Sequence, residues 1–288
     1  MKKIIILIPL YNDWESLKTL IKEIEENVKV FNDITFECLV VNDASTNQLI
    51  QISKPSKFTS MEILNMKENK GHARCNAFGI RYIFQNKEFD YLILMDGDGE
   101  DRPIEIKNLI EKINENPNIS VVAKRVKRSE GLLFKLLYQF HKLITFFFTG
   151  KNINFGNYSM LTKNDVGILH SKASLWNSYS GSVKKYLKPL NEINSIRGLR
   201  YFGQSHMSLL KLIIHSFSII SVFKYQVFLR STLMIIVLAF LSSNFGGISI
   251  FLQILIVTFN LIIFLISKRE SEKDLILSHN NLGEVKKM

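Results

Sequence analysis

The chain has 288 residues, 47% of them hydrophobic, a net charge of +11 and a mean hydropathy of +0.09. That length holds one substantial globular domain and a smaller unit, and the apolar excess, gathered at one end, argues against a wholly soluble protein. The charge suits an anionic membrane surface and phosphate-bearing substrates; without a basic helix or zinc pattern, nucleic acid is not an expected partner.

Residues 3–9, KIIILIP, form a continuous apolar run that predicts a strand buried on both faces. No signal peptide is expected there, because the run is short and ends at Pro9. Asp13 to Val30 follows with Leu17, Leu20, Ile21 and Ile24 on one helical stripe. Phe36 to Val41 predicts a second strand and Ser60 to Met66 a third, with a helix expected from about Ala73 to Gln85. Phe89 to Met95 is the fourth strand, Pro103 to Asn114 a helix, and Ile119 to Ala123 a fifth strand. Cys38 and Cys75 fall inside these segments without metal spacing and read as reduced structural thiols. The six histidines are scattered and suggest no metal-binding cluster.

Strands alternating with helices predict an α/β fold, an open and mainly parallel sheet with helices on both faces. Ligands of such sheets bind beyond the carboxyl ends of the strands. Polar clusters fall at three of those ends: Asn12-Asp13, Asn42-Asp43 and Asp96-Asp98. The third is the most telling. In YLILMDGDGEDRP, residues 91–103, an apolar strand stops at carboxylates separated by single glycines. Such converging oxygens suit a hard cation, Mg²⁺ or Mn²⁺, held by Asp96 and Asp98, with positions left for phosphate oxygens. The plainer reading is a solvated turn in which Asp101 and Pro103 start a helix.

After Ala123 the pattern changes. Lys124, Arg125, Lys127 and Arg128 form a basic run, and Gly131 to Phe148 is apolar and aromatic. This predicts an amphipathic element at a membrane interface, with the basic run facing lipid phosphates. A second such element is expected between Met207 and Phe223. No charge occurs from Ser231 to Ser267, and Ser242 to Gly247 is turn-rich. Two membrane helices are therefore expected, at about Val222–Leu241 and Ile248–Ile266. Lys224 and Arg230 precede them and Lys268, Arg269 and Lys273 follow, so both ends should face the cytosol.

These segments, in this order, resemble the family 2 glycosyltransferases of the GT-A fold, and most of all the polyprenyl-phosphate glycosyltransferases. Pro9, Tyr11 and Asn12 look like the opening PxYN element, and residues 41–46 correspond to the DDGST turn, whose second acid, here Asp43, contacts the nucleotide. Asn69 and Gly71, with Ala73, Asn76 and Gly79, are similar to the NxG segment. MDGDGEDRP matches the metal element, with Glu100 where glutamine is usual. Arg200 to Met207, including Ser205, resembles the RxxGxSxY segment near the acceptor. Two positions depart from the pattern. Asn157 stands where an aspartate is proposed as base, and Asn42 and Ala44 replace an acid and a glycine.

The resemblance implies a metal-dependent, inverting transfer of sugar from a nucleotide-sugar to a polyprenyl phosphate on the cytosolic side of a bilayer, a bacterial inner membrane rather than endoplasmic reticulum. It implies a nucleotide-sugar site of Pro9, Tyr11, Asn12, Asp43, Asn69, Gly71, Asp96 and Gly97. Arg125, Arg128, Arg200 and Ser205 would hold the acceptor phosphate, and Asp98, Glu100 and Asn157 are the catalytic positions. Expected divisions are a cytosolic catalytic domain over residues 1–206 with an interfacial element at 129–150, a stem and membrane helices over 207–268, and a loose cytosolic tail over 269–288. A homo-oligomer is allowed. Two rivals stand beside this reading: a same-fold enzyme that extends a lipid-linked or capsular glycan at a sugar hydroxyl, and a catalytically silent membrane subunit.

Overall fold

A computed structural model describes residues 1–48, 50–127, 132–203 and 208–288. The N-terminal strand β1 (Lys2–Leu10) sets the layout. Its side chains alternate: Ile4, Ile6 and Ile8 enter one apolar layer, and Ile5 and Leu7 enter the other. Both layers exclude water from these residues, so each aliphatic side chain contributes about 1.5–3 kcal/mol. Helix α1 (Trp14–Val28) covers the first layer through Leu17, Leu20, Ile21 and Ile24. Strands β2 (Ile34–Asn42) and β3 (Phe58–Met66) extend the sheet in parallel. Helix α2 (His72–Asn86) covers the opposite face. It approaches closely because Gly79 lies on Leu7, where a Cβ would meet the leucine's methyl at 2.5 Å.

Strand β4 (Tyr91–Leu94) pairs parallel with β1 on its other side and ends at the acidic turn. A 3-10 turn, Pro103–Glu105, then leads into helix α3 (Ile106–Glu115). Strand β5 (Val121–Lys127) runs beyond the expected five-residue segment. Of the basic run, Lys124, Arg125 and Lys127 belong to this paired strand rather than to a turn. Helix α4 (Leu132–Thr149) precedes β6 (Phe155–Thr162), which lies antiparallel between β4 and β5. Helices α5 (Lys163–Leu169) and α6 (Tyr179–Tyr186) pack near α2, and β7 (Asn191–Ile196) pairs parallel with β5.

The C-terminal part begins with α7 (Leu209–Ser221), followed after a bend of 89° by α8 (Lys224–Phe240). A short turn of helix, α9 (Ser242–Phe245), joins α8 to α10 (Gly247–Ser267). Among the described residues, the run starting at Gly247 is the single unbroken helix long and apolar enough to cross a membrane. Only 11% of its most apolar stretch is buried, which separates it from a core helix of a soluble protein. Helices α8 and α10 lie side by side: Lys224 pairs with Glu270 at one end (2.9 Å), and Ser249 donates to the Leu238 carbonyl at the other. Phe148 of α4 and Phe217 of α7 both pack on Phe259 of α10.

The tail expected to be loose is folded. Helix α11 (Glu272–Ile276) is capped by Ser271, and β8 (Leu282–Lys287) pairs antiparallel with β3. The free N–H and C=O groups of the β3 edge hold it there, a backbone effect to which its mostly exposed side chains add little. The finished sheet has eight strands in the order β7-β5-β6-β4-β1-β2-β3-β8 and is mostly parallel, with four parallel and three antiparallel pairings.

Candidate active site

The carboxyl ends of β1, β2 and β4 meet at one sheet edge, as their parallel register requires. Past β4 the backbone turns on Gly97, which lies against the Pro9 carbonyl (3.1 Å from a built Cβ), and on Gly99. Gly99 has φ +88, a left-handed conformation that costs side-chain-bearing residues, and the Tyr201 ring fills the place of any Cβ. The segment 197–201 straps this turn. Gly198 N–H donates to the Glu100 carbonyl (2.8 Å) and Tyr201 N–H to the Asp98 carbonyl (3.0 Å), while the Tyr201 hydroxyl donates to Glu23 (2.6 Å).

The acids of the turn have distinct partners. Asp96 Oδ1 meets His72 Nε2 at 2.9 Å and accepts from Asn157 Nδ2 at 3.0 Å. Asp98 Oδ2 accepts from Arg200 Nη1 at 2.9 Å, and the same guanidinium also pairs with Asp13. Glu100 pairs with Arg197. Asp101 is buried and accepts the Asp96 backbone N–H (2.9 Å), which fixes the strand end. Burial acts to raise Asp96, but the charge of His72, with Arg125 and Arg197, outweighs it and holds the carboxyl well below the usual range. The partner effect lifts His72 above its ordinary value against the burial that would lower it. Burial, then the charge of Asp96, raises Asp98. The same two causes push Asp101 up to about 7. The turn thus concentrates negative charge within a ring of His72, Arg125, Arg197 and Arg200.

The two strand ends beside it carry different work. Asp43, 3% exposed, accepts the backbone N–H groups of Lys70 and Gly71, each at 2.8 Å, one on each carboxylate oxygen. The carboxylate thereby holds the loop 69–71, and Gly71 starts α2. Asn12 accepts from the backbone of Thr46 (2.8 Å) and Asn47 (3.1 Å), so it shapes the β2 turn. Ala44, where the pattern has glycine, takes φ +54. Tyr11 is 41% exposed at the cleft, and Asn69 is exposed. Arg125 lies against Gly156, next to Asn157, with its guanidinium where a side chain at 156 would go. Arg128 and Ser205 lie outside the described residues.

Pro9, Asp96, Gly97, Asp98, Glu100, Asn157, Arg125 and Arg200 therefore come together as the sequence implied. His72 and Arg197 join them without having been singled out, as do Asp13 and Tyr201, which lay within named segments but were given no role. His72 had one signal, its place directly after the glycine that opens α2. Among the described residues no group of three or more His, Cys, Asp or Glu side chains is arranged as a self-sufficient metal centre. Two carboxylates whose charges act on each other fit a divalent ion that draws its other ligands from phosphate and water, with the cationic side chains around them left to meet the phosphate.

The chain belongs to glycosyl transferase family 2, whose model matches residues 5–174. It is 24% identical over 220 residues to the undecaprenyl-phosphate 4-deoxy-4-formamido-L-arabinose transferase of Yersinia enterocolitica, covering 74% of this chain and 65% of the relative. The transferase of the same description from Salmonella choleraesuis is 26% identical over 164 residues, 57% of this chain and 48% of that one. The chain thus spans less than two thirds of the length of these relatives. Glucosyl-3-phosphoglycerate synthase from Mycobacterium tuberculosis, crystallised with Mn²⁺, UDP-glucose and phosphoglyceric acid, shares the fold at a TM-score of 0.52 and 12% identity. That likeness covers 78% of this chain and 80% of the synthase.

Proposed function

We propose that this chain transfers a sugar from a nucleotide-sugar to a polyprenyl phosphate at the cytosolic face of a membrane. The observation that carries the reading is the acidic turn: Asp96 and Asp98 at a sheet edge, ringed by His72, Arg125, Arg197 and Arg200. Asp96 and Asp98 would hold Mg²⁺ or Mn²⁺, which when bound offsets the charge gathering on the departing diphosphate. The protein's own groups prepare that site. His72 and Asn157 keep Asp96 ionised and oriented, and Asp101 pins its backbone. Arg125 and Arg200 bring planar guanidinium groups beside the turn, suited to an acceptor phosphate.

The acceptor follows from the missing base. Asn157 cannot take a proton at neutral pH, Glu100 is paired with Arg197, and Asp98 with Arg200. A sugar hydroxyl would need such a base. A phosphate monoester carries roughly −1.5 to −2 charge at pH 7 and attacks without one. The reaction is then a single displacement with inversion and no covalent enzyme intermediate.

The helices α4, α7, α8 and α10 support a membrane setting. Exposed Phe140, Leu143, Phe146 and Phe147 of α4 and Leu209, Leu210 and Ile213 of α7 give both helices an apolar outer face. The right-angle bend between α7 and α8 suits one helix lying in the interface and the next crossing with α10 as a hairpin. The flanking Lys224, Arg230, Lys268, Arg269 and Lys273 set the cytosolic side. Acceptor profiling tests this reading. Purified protein given a panel of nucleotide-sugars with Mg²⁺ or Mn²⁺ should glycosylate a polyprenyl phosphate and leave sugar-hydroxyl lipids unchanged; the opposite preference would overturn it.

A further inference from the structure

A cavity of about 660 Å³ lies between the β3–α2 loop and the segment that follows α10. Ligand sites commonly measure about 300–1,000 Å³, so it has room for a nucleoside. Asp43, Arg74 and Trp176 line it from the sheet domain, and Arg269, Asp274 and Asn281 from the C-terminal segment. We infer that this segment is one wall of the donor's nucleoside pocket, with Arg269 and Arg74 meeting acceptor oxygens of the base. The inference rests on the nucleotide-sugar reading and adds a binding role for residues beyond the family match.

Three observations support it. First, the segment is fixed to the loop it faces. The Asn281 carbonyl accepts the Lys67 N–H (2.8 Å), and its side-chain amide bonds both the N–H (3.0 Å) and the carbonyl (2.9 Å) of Glu68. Second, the same loop reaches the acidic turn. Lys70 lines the cavity, and His72, two residues on, touches Asp96. Two residues of extended chain span at most about 7 Å, so one molecule can place its base in the cavity and its diphosphate at Asp96.

Third, the two guanidinium groups keep their hydrogen-bond donors open. Arg74 lies within electrostatic reach of Arg269, Asp43 and Asp274; burial and then the Arg269 charge lower its pKa. Among the described residues neither arginine side chain donates a hydrogen bond or forms an ion pair. Two guanidinium forks lining one cavity suit a ligand that brings planar acceptors, as the carbonyl oxygens and ring nitrogens of a base do. Asp43, whose carboxylate fixes the loop from beneath, ties the cavity floor to both ends of this arrangement.

Calorimetry on the full-length protein in detergent, with UDP, GDP, CDP and ADP plus Mn²⁺, tests the inference. Arg269→Ala and Asn281→Ala should each weaken the preferred nucleoside diphosphate about 10-fold, and the matching monophosphate by a similar factor. Asp96→Ala should weaken the diphosphate and leave the monophosphate unchanged. Arg269→Gln, which keeps much of the stem, is read in parallel so that a folding defect in one variant does not hide the result. If the Arg269 and Asn281 variants melt normally and bind within about 2-fold of wild type while Asp96→Ala loses the diphosphate, this inference fails and the donor reading stands. If wild type binds none of the four, the donor reading fails first and carries this one with it.

Discussion

The turns that end β2 and β4 lie at the same sheet edge and both carry acids, but their side chains face different partners. After β2, Asp43 gives both oxygens to backbone N–H groups, and Asn12 holds the turn residues in the same way. After β4, Asp96 and Asp98 meet the side chains of His72, Asn157 and Arg200, and Asp98 also accepts the Glu100 backbone N–H at 3.0 Å. A buried carboxylate satisfied by backbone is part of the framework, because moving it would strand the donors it holds. One met by cationic side chains can change partners when a ligand brings its own charge. On the proposed reading, the first turn builds the site and the second works in it.

Substitutions separate the two. Asp96→Ala should lower sugar transfer by about 10²-fold or more while the melting temperature stays within a few degrees. Asp43→Ala should instead cost about 2–4 kcal/mol, since two backbone N–H groups lose their buried acceptor, and thermal melting reads that directly. Equal losses of stability from both variants would erase the distinction. Asn157→Asp replaces a donor to Asp96 with a like charge and should slow transfer about 10-fold in steady-state assays at pH 7. A faster variant would mean that a base limits the reaction and that a hydroxyl is the acceptor.

Smaller effects sharpen the framework side. Ala44→Gly relieves a left-handed φ at a residue with a Cβ and should add up to about 1 kcal/mol, raising the melting temperature by about 2–4 °C. Asp101 is read through pH. Burial and the Asp96 charge raise it to about 7, whereas an unfolded aspartate titrates near pH ~4. Its contribution is therefore full below that lower value and is lost as pH rises through about 7. Melting curves in EDTA from pH 4 to 8 should fall less steeply for Asp101→Asn than for wild type.

The central strands were legible because burial on both faces leaves unbroken apolar runs such as residues 3–9. The edge strands were not. β7, NEINSI, and β8, LGEVKK, are held by backbone pairing with β5 and β3, and most of their side chains stay in solvent, so no hydrophobic pattern marks them. The basic run hid a strand for a related reason: Arg125 points its charge at the site, and charge in sequence reads as surface. Asp96, Asp98, Asn157 and Arg200 could be read from their spacing. The pairings His72–Asp96 and Arg197–Glu100 join residues 24 and 97 positions apart, and only the fold brings them together.

The most direct measurement is the mass of the lipid made when the purified full chain meets a polyprenyl phosphate, a nucleotide-sugar panel and Mn²⁺, compared with Asp98→Ala. A product heavier than the acceptor by one sugar, formed by wild type and about a hundredfold more slowly by the variant, is the expected result. Wild-type rates from Asp98→Ala would show that the acidic turn does not drive the chemistry.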